Sequence, residues 1–326
     1  MLFHGFYILS TQPLIVSFIG TYPFLGGLLY QGQKLTYQPL PKWFRPKHVL
    51  EHLPGWAGTW SQMSRRKVKE ILHTFEGRTH HLMVNASDEE EFRKRFSVRG
   101  AHFNHNLYVN EHLYQPHEEP KIYDAIYTAR LTPFKRHWLA KNVERLMVVS
   151  YGGDLHTFCP ELKHAEFNKE FISRPELARK YNQSYAGLCL SAREGAMFAS
   201  CEYLLSGIPI VSTPSKGGRD EFFTMQNSLI VPPQPEAVAQ AVKDWKQLKP
   251  KPQDIREQTL KQMNHLRLGY CTYISQLISQ ESGDYKKPEE LMEKYFAPPD
   301  GIHSRFLKLE NLWTSQFEDL EKAFSL

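Results

Sequence analysis

Between residues 122 and 248, short apolar runs alternate with helical stretches, and this alternation limits the fold more than any other feature of the chain. Runs at 122–128, 145–150, 185–191, 208–212 and 228–231 have the length and the Val, Ile, Leu and Tyr content of strands. A strand buried on both faces reads as a continuous apolar run, not as apolar–polar alternation. Helical stretches at 135–142, 175–182, 198–206 and 235–248 lie between or after them, and Gly207 stands where a helix-closing glycine is expected. Strand, crossover helix, strand in this order predicts a parallel, doubly wound sheet, a Rossmann-like domain.

The same α/β rhythm is fainter before residue 118. Residues 14–19, 81–85 and 100–103 read as strands, and 64–75 as a helix. A further helix starts near Ser87, placed as its N-cap ahead of acids in the first turn. Gly26 and Gly27 follow the 14–19 strand as a loop, and 38–60, full of prolines, aromatics and histidines, reads as irregular. A polar, proline-bearing piece at 114–120 marks a domain boundary. The expected organisation is a small N-terminal domain over 1–118, a second domain over 119–270 and a tail over 271–326 that packs back on the first. Helices at 253–280, 288–295 and 304–324 belong to the C-terminal part. A chain of 326 residues suits two α/β domains facing a cleft.

Composition narrows the function classes. With 41% hydrophobic and 23% charged residues the chain is a folded protein, not a disordered one. A net charge of +5 suits an anionic ligand but does not demand nucleic acid. Cys159, Cys189, Cys201 and Cys271 form no C-x-x-C pair and no zinc spacing, so a reducing cytoplasm is the simplest setting, with peripheral attachment to a membrane left open. Residues 1–30 are apolar but lack a basic start and are broken by His4, Gln12, Pro13 and Pro23, so they read as buried strand and loop.

Chemistry concentrates in residues 191–202. A strand ends at Ser191, a short loop carries Glu194, and a helix is expected from Gly195. Ligands of open α/β sheets bind at the carboxyl ends of strands, and a helix N-terminus favours phosphate. Gly195 lets a ligand approach the backbone closely. Glu202 follows Glu194 by eight residues. On one helix the two would stand about 12 Å apart along the axis. A second cluster follows the 122–128 strand, where Arg130 and Lys135 flank Pro133. Arg offers a planar fork to phosphate oxygens and Lys a point charge. A third is the turn Gly217-Gly218 after the 208–212 strand, with backbone N–H groups suited to an anion.

Glu194, seven residues, Glu202, then Gly207-Ile208-Pro209-Ile210-Val211 resembles the E-x7-E signature and trailing G-x-P-x-V of the retaining GT-B glycosyltransferases of family 4, the group 1 glycosyl transferases. Arg130 to Lys135 resembles that family's G-R-L-x-x-x-K element, with Ala129 in place of the glycine. The resemblance covers about residues 80–245. It implies a GT-B fold and a metal-independent hexosyltransferase that uses no cofactor, with the nucleotide sugar as co-substrate. Glu194, Gly195 and Ala196 would contact the donor sugar and phosphate, Glu202 the ribose, and Arg130 and Lys135 the diphosphate. Arg136 is the alternative phosphate ligand. Gly217 and Gly218, and Gly26 and Gly27, would add donor contacts. Among the histidines of the first domain, His52 is the candidate to face the sugar. The donor would be a UDP- or GDP-sugar. The acceptor stays open between a glycan, a lipid-linked glycan, a protein and a nucleobase. A scaffold that has kept nucleotide-sugar binding and lost transfer is the competing reading.

Overall fold

The computed structural model describes residues 5–19, 28–31, 34–37, 45–52, 79–95, 99–296 and 307–308. The chain divides into two units, residues 1–108 with 264–326, and residues 109–263. The sequence places the domain change at 118/119 and the start of the tail at 270/271; the units change at 108/109 and 263/264. Expected features at Gly26, Gly27 and 64–75 lie outside the described residues, as does the 304–324 helix apart from 307–308. The fold is α/β, two Rossmann-like units each built on a six-stranded sheet.

In the first unit the strands are β1 (Gly5–Thr11), β2 (Leu14–Ile19), β5 (His48–His52), β6 (Thr79–Val84), β7 (Arg99–His102) and β14 (Leu307–Lys308). Their order is β14-β1-β2-β5-β6-β7. The step from β2 through β7 is parallel, while β1 runs antiparallel to both its neighbours. A separate antiparallel pair is formed by β3 (Leu28–Gln31) and β4 (Lys34–Tyr37). Helix α1 (Ser87–Arg95) begins at Ser87 itself, and Glu89 reaches back to accept from the Asn85 N–H at 2.7 Å, so the acid supplies the cap. The core packs Phe6, Ile8, Val16, Val49, Leu50 and Met83 of the sheet against Tyr270, Ile274 and Tyr295.

This core also holds polar groups. The Tyr108 hydroxyl lies 2.8 Å from His52 Nε2, 2.9 Å from the Tyr270 hydroxyl and 3.0 Å from Ser17 Oγ. Beside them His48 Nδ1 meets His81 Nε2 at 2.9 Å, and His81 Nδ1 meets the Tyr273 hydroxyl at 2.7 Å. Burial holds all three histidines below the ordinary value, His52 far below and His81 at about 3.

The second unit carries β8 (Tyr123–Thr128), β9 (Leu146–Val149), β10 (Glu166–Phe167), β11 (Ser184–Cys189), β12 (Ile210–Ser212) and β13 (Ser228–Ile230). They lie in the order β10-β9-β8-β11-β12-β13, every pair parallel. Numbered within the unit this is 3-2-1-4-5-6, the dinucleotide-fold order. Strand β9 and most of β8 and β11 are buried, as their apolar runs predict. β10 has two residues and no apolar run to announce it.

The helices are α2 (Leu155–Phe158), α3 (Arg174–Asn182), α4 (Phe198–Leu205), α5 (Pro235–Leu248), α6 (Pro252–Ser282) and α7 (Pro288–Phe296). α5 buries Val238, Ala241, Val242 and Trp245, one face at helical spacing, and Trp245 Nε1 donates to the Ile210 carbonyl at 3.0 Å. Gly207 ends α4 with φ +73°, and a Cβ there would sit 2.6 Å from Pro252, so only glycine fits. The helix expected over 135–142 is absent. Two 3-10 turns, Pro133–Lys135 and His137–Ala140, stand there, separated by Arg136 at φ 51°. The Tyr127 hydroxyl takes the Lys135 carbonyl at 2.5 Å, and the Arg136 side chain is anchored on two strand ends, so tertiary bonds override helix propensity. All four cysteines are buried and free. Among the described residues no helix is long and apolar enough to cross a membrane.

The histidines set the pH response. A histidine kept neutral in the fold costs nothing above the ordinary value of 6.5. Below it the unfolded chain binds protons that the folded core refuses, so stability falls as pH falls. His52 and His81 together should remove about 2 kcal/mol between about pH 7 and pH 5.5. Urea midpoints at the two pH values measure this, and an unchanged midpoint would refute the buried neutral histidines.

Candidate active site

In a doubly wound sheet the chain leaves β8 toward one edge and returns at β11 to build the other. The loops after these two neighbouring strands therefore part and leave a crevice at their carboxyl ends. Two of the three sequence-derived clusters fall there. Arg130 and Lys135 follow β8, and Glu194 follows β11.

The structure brings Lys135 and Glu194 into direct contact across 59 residues of sequence. The Lys135 ammonium donates to Glu194 Oε1, and Ser191 Oγ donates to Glu194 Oε2. The pair is close to dry, with side-chain exposures of 6% for Lys135 and 13% for Glu194. The backbone of Glu194 is also fixed. Its N–H donates to the Lys216 carbonyl at 2.9 Å, and the Lys216 N–H donates to the Ala192 carbonyl at 3.0 Å. This lacing forms a parallel bridge between Arg193 and Lys216 and sets the Gly217-Gly218 turn beside the Glu194 loop. Gly217 has φ 101° and leads into a short 3-10 turn at Gly218–Asp220.

Arg130 makes no ion pair among the described residues. Its guanidinium rests over the Phe134 ring at 5.9 Å, and the Lys135 ammonium lies 5.4 Å from the same ring. Arg136 is committed to the protein. Nε donates to the Leu190 carbonyl at 2.6 Å and Nη2 to Thr213 Oγ1 at 2.7 Å. Its guanidinium thus ties the ends of β11 and β12.

Glu202 lies apart from Glu194. Helix α4 begins at Phe198, so Glu194, Gly195 and Ala196 belong to the loop before it and no common helix axis relates the two glutamates. Gly195 and Ala196 are buried in that loop. Glu202 Oε2 accepts from the Tyr181 hydroxyl of α3 at 2.8 Å. Burial raises its pKa, while hydrogen bonds from Tyr181 and Tyr114 pull the other way. Tyr203, next in sequence, accepts from the Thr128 N–H at 2.7 Å and lies so close to β11 that a Cβ at Gly187 would come within 2.2 Å of its ring. His52 is placed in the other unit, with no exposed surface and its Nε2 beside the Tyr108 hydroxyl.

Sequence reasoning passed over two residues of this site. Arg219 is fully buried. It donates to the Ser191 carbonyl at 2.5 Å, to Ser212 Oγ at 2.6 Å and to the Thr213 carbonyl at 2.6 Å, and pairs with Asp220 at 2.7 Å. The only sequence signal is its place after a Gly-Gly turn that follows a strand. His137 is buried between Tyr127 and Phe158, and burial, aided by the neighbouring Lys135 charge, holds it at about 4.

No protein-family model matches the chain, and no curated protein matches it in sequence. Solved structures do match in fold. HepE of Anabaena, in complex with UDP, superposes with a TM-score of 0.54 at 12% identity, covering 70% of this chain and 72% of that one. Sucrose-phosphate synthase of Thermosynechococcus elongatus gives 0.56 at 15% identity, covering 73% and 70%. The pneumococcal O-GlcNAc transferase GtfA, in complex with UDP and GlcNAc, gives 0.52 at 13% identity, covering 73% and 53%. These likenesses establish the fold as GT-B.

Arg219 supports the site from below, and its removal should be costly. Arg219→Met leaves Asp220 and the strand-end carbonyls without their donor and should destabilise the protein by about 3 kcal/mol. A urea titration reads this directly. A loss below about 1 kcal/mol, the scale of an ordinary surface contact, would show that the buried guanidinium does not brace the site.

Proposed function

We propose that this protein is a glycosyltransferase that moves a sugar from a UDP- or GDP-sugar to an acceptor with retention of configuration, in the manner of family 4. The observation that carries the reading is the meeting of Lys135 and Glu194 at the switch point of a 3-2-1-4-5-6 sheet, with Arg130 beside them. A diphosphate needs cations at the strand ends, and a sugar needs hydrogen-bond acceptors next to them. The loops after β8 and β11 supply one of each. The E-x7-E resemblance supports the same assignment of Glu194 to the sugar and Glu202 to the ribose. The fold likeness to proteins solved with UDP adds support for a uridine nucleotide.

Catalysis in this reading is positioning plus charge stabilisation. Arg130 and Lys135 neutralise the charge that grows on the departing diphosphate. The diphosphate oxygen itself takes the acceptor's proton. No protein base and no metal is needed for that step. The acceptor, drawn from glycans, lipid-linked glycans, proteins or nucleobases, is met by other parts of the chain, and a cytoplasmic setting accords with four free thiols.

Slow hydrolysis of a nucleotide sugar is the first test. With a panel of UDP- and GDP-sugars, one member should release its diphosphate, and Glu194→Ala should abolish the release. Binding without any release would favour the scaffold reading. A second expectation concerns the clamp. Lys135→Ala should weaken UDP or GDP binding about tenfold, the worth of one charge-assisted phosphate contact. Calorimetry showing equal affinity would put the diphosphate elsewhere.

A further inference from the structure

We infer that Lys135 and Glu194 form an exchange pair, in which the donor's diphosphate takes Lys135 from Glu194 and so frees the carboxylate to receive a hydroxyl of the donor sugar. The inference rests on the reading of this site as a nucleotide-sugar site. It assigns a coupling between the two halves of the donor that neither residue would give alone.

The geometry sets up a competition. Lys135 and Glu194 are bonded to each other and nearly closed off from water, so an incoming anion competes with Glu194 for the ammonium and an incoming hydroxyl competes with Lys135 for Oε1. A carboxylate and a diphosphate at one ammonium are like charges and repel. The diphosphate carries the larger charge and also reaches Arg130, whose guanidinium and the Lys135 ammonium lie over one ring, that of Phe134. It therefore wins the ammonium.

The backbone is arranged so that only side chains move. The Lys135 carbonyl is held by the Tyr127 hydroxyl at 2.5 Å, and the Glu194 N–H by the Lys216 carbonyl at 2.9 Å. Ser191 keeps its bond to Glu194 Oε2, so the carboxylate stays oriented while Oε1 changes partner. Oε1 then accepts from a hydroxyl of the sugar attached to the incoming diphosphate. A free sugar brings no anion and finds Oε1 engaged by Lys135. Discrimination for a diphosphate-linked sugar over the same sugar alone is thus built into one ion pair.

Titration calorimetry of UDP and GDP against the full chain tests this in wild type, Glu194→Gln, Lys135→Met and the double variant. For the diphosphate that wild type binds, Glu194→Gln should bind about tenfold more tightly, because the competitor is gone, and tenfold corresponds to about 1.4 kcal/mol. In the Lys135→Met background the same change should bring no gain. A Glu194→Gln affinity equal to or below wild type overturns the exchange. An equal gain in the Lys135→Met background also overturns it, since the carboxylate would then act on the diphosphate through space. Failure of wild type and all variants to bind either diphosphate defeats the donor-site reading itself. Thermal melts establish that each variant is folded, and Glu194→Ala replaces Glu194→Gln if the latter is not.

Discussion

The buried guanidinium of Arg219 is the interaction on which the site depends. Where parallel strands end, the last backbone carbonyls run out of ladder partners and need other donors. At the ends of β11 and β12 these orphan acceptors are gathered by two arginines. Arg219 takes the Ser191 and Thr213 carbonyls and Ser212 Oγ, and Arg136 takes the Leu190 carbonyl and Thr213 Oγ1. A buried cation needs compensation, and Asp220 supplies it next door. Two positive charges are thereby placed under the loops that carry Glu194 and the Gly-Gly turn. The bonds that satisfy the strand ends also fix the backbone from which the Glu194 loop and the Gly-Gly turn depart.

Above this layer the fold spends stability on proximity. Lys135 and Glu194 are held together with little water around them, an arrangement whose Coulomb gain is offset by desolvation. A hydrophobic pair of the same size would serve stability as well. What the ion pair provides is a cation and a carboxylate side by side on rigid loops. The rigidity has visible sources: a tyrosine hydroxyl on the Lys135 carbonyl, a serine hydroxyl on the Glu194 carboxylate, and a bridge to Lys216.

Much of the second unit was legible in the sequence, for a physical reason. Strands such as 145–150 are buried on both faces and so cannot hide among polar residues, and Gly207 is demanded by a positive φ and by Pro252. Two things were not legible. The 135–142 segment has good helix formers, but the Tyr127 hydroxyl and the pull of two strand ends on Arg136 break it into 3-10 turns. Those bonds join residues far apart in sequence, and local periodicity carries no trace of them. Arg219 looked like a turn residue for the same reason, since its partners lie up to 28 residues away. In the first unit His52 falls in a stretch that reads as irregular, yet it ends strand β5, and the partners that enclose it, Tyr108 and Tyr270, come from 56 and 218 residues away.

The two glutamates of the E-x7-E segment show how one motif yields unlike groups. Had both stood on one helix, they would have shared an environment. The helix starts instead at Phe198, and Glu194 falls in the loop against a lysine while Glu202 falls in the helix among tyrosines. The carboxylate of Glu194 has an ionic partner in the Lys135 ammonium. A carboxylate among Tyr181 and Tyr114 meets neutral donors, and burial raises its pKa. Glu202 is therefore suited to a directional hydrogen bond with a hydroxyl, and Glu194 to a site where charge moves. The seven-residue spacing matters because it carries the chain from the strand-end loop, through the start of α4, to the helix turn that faces α3.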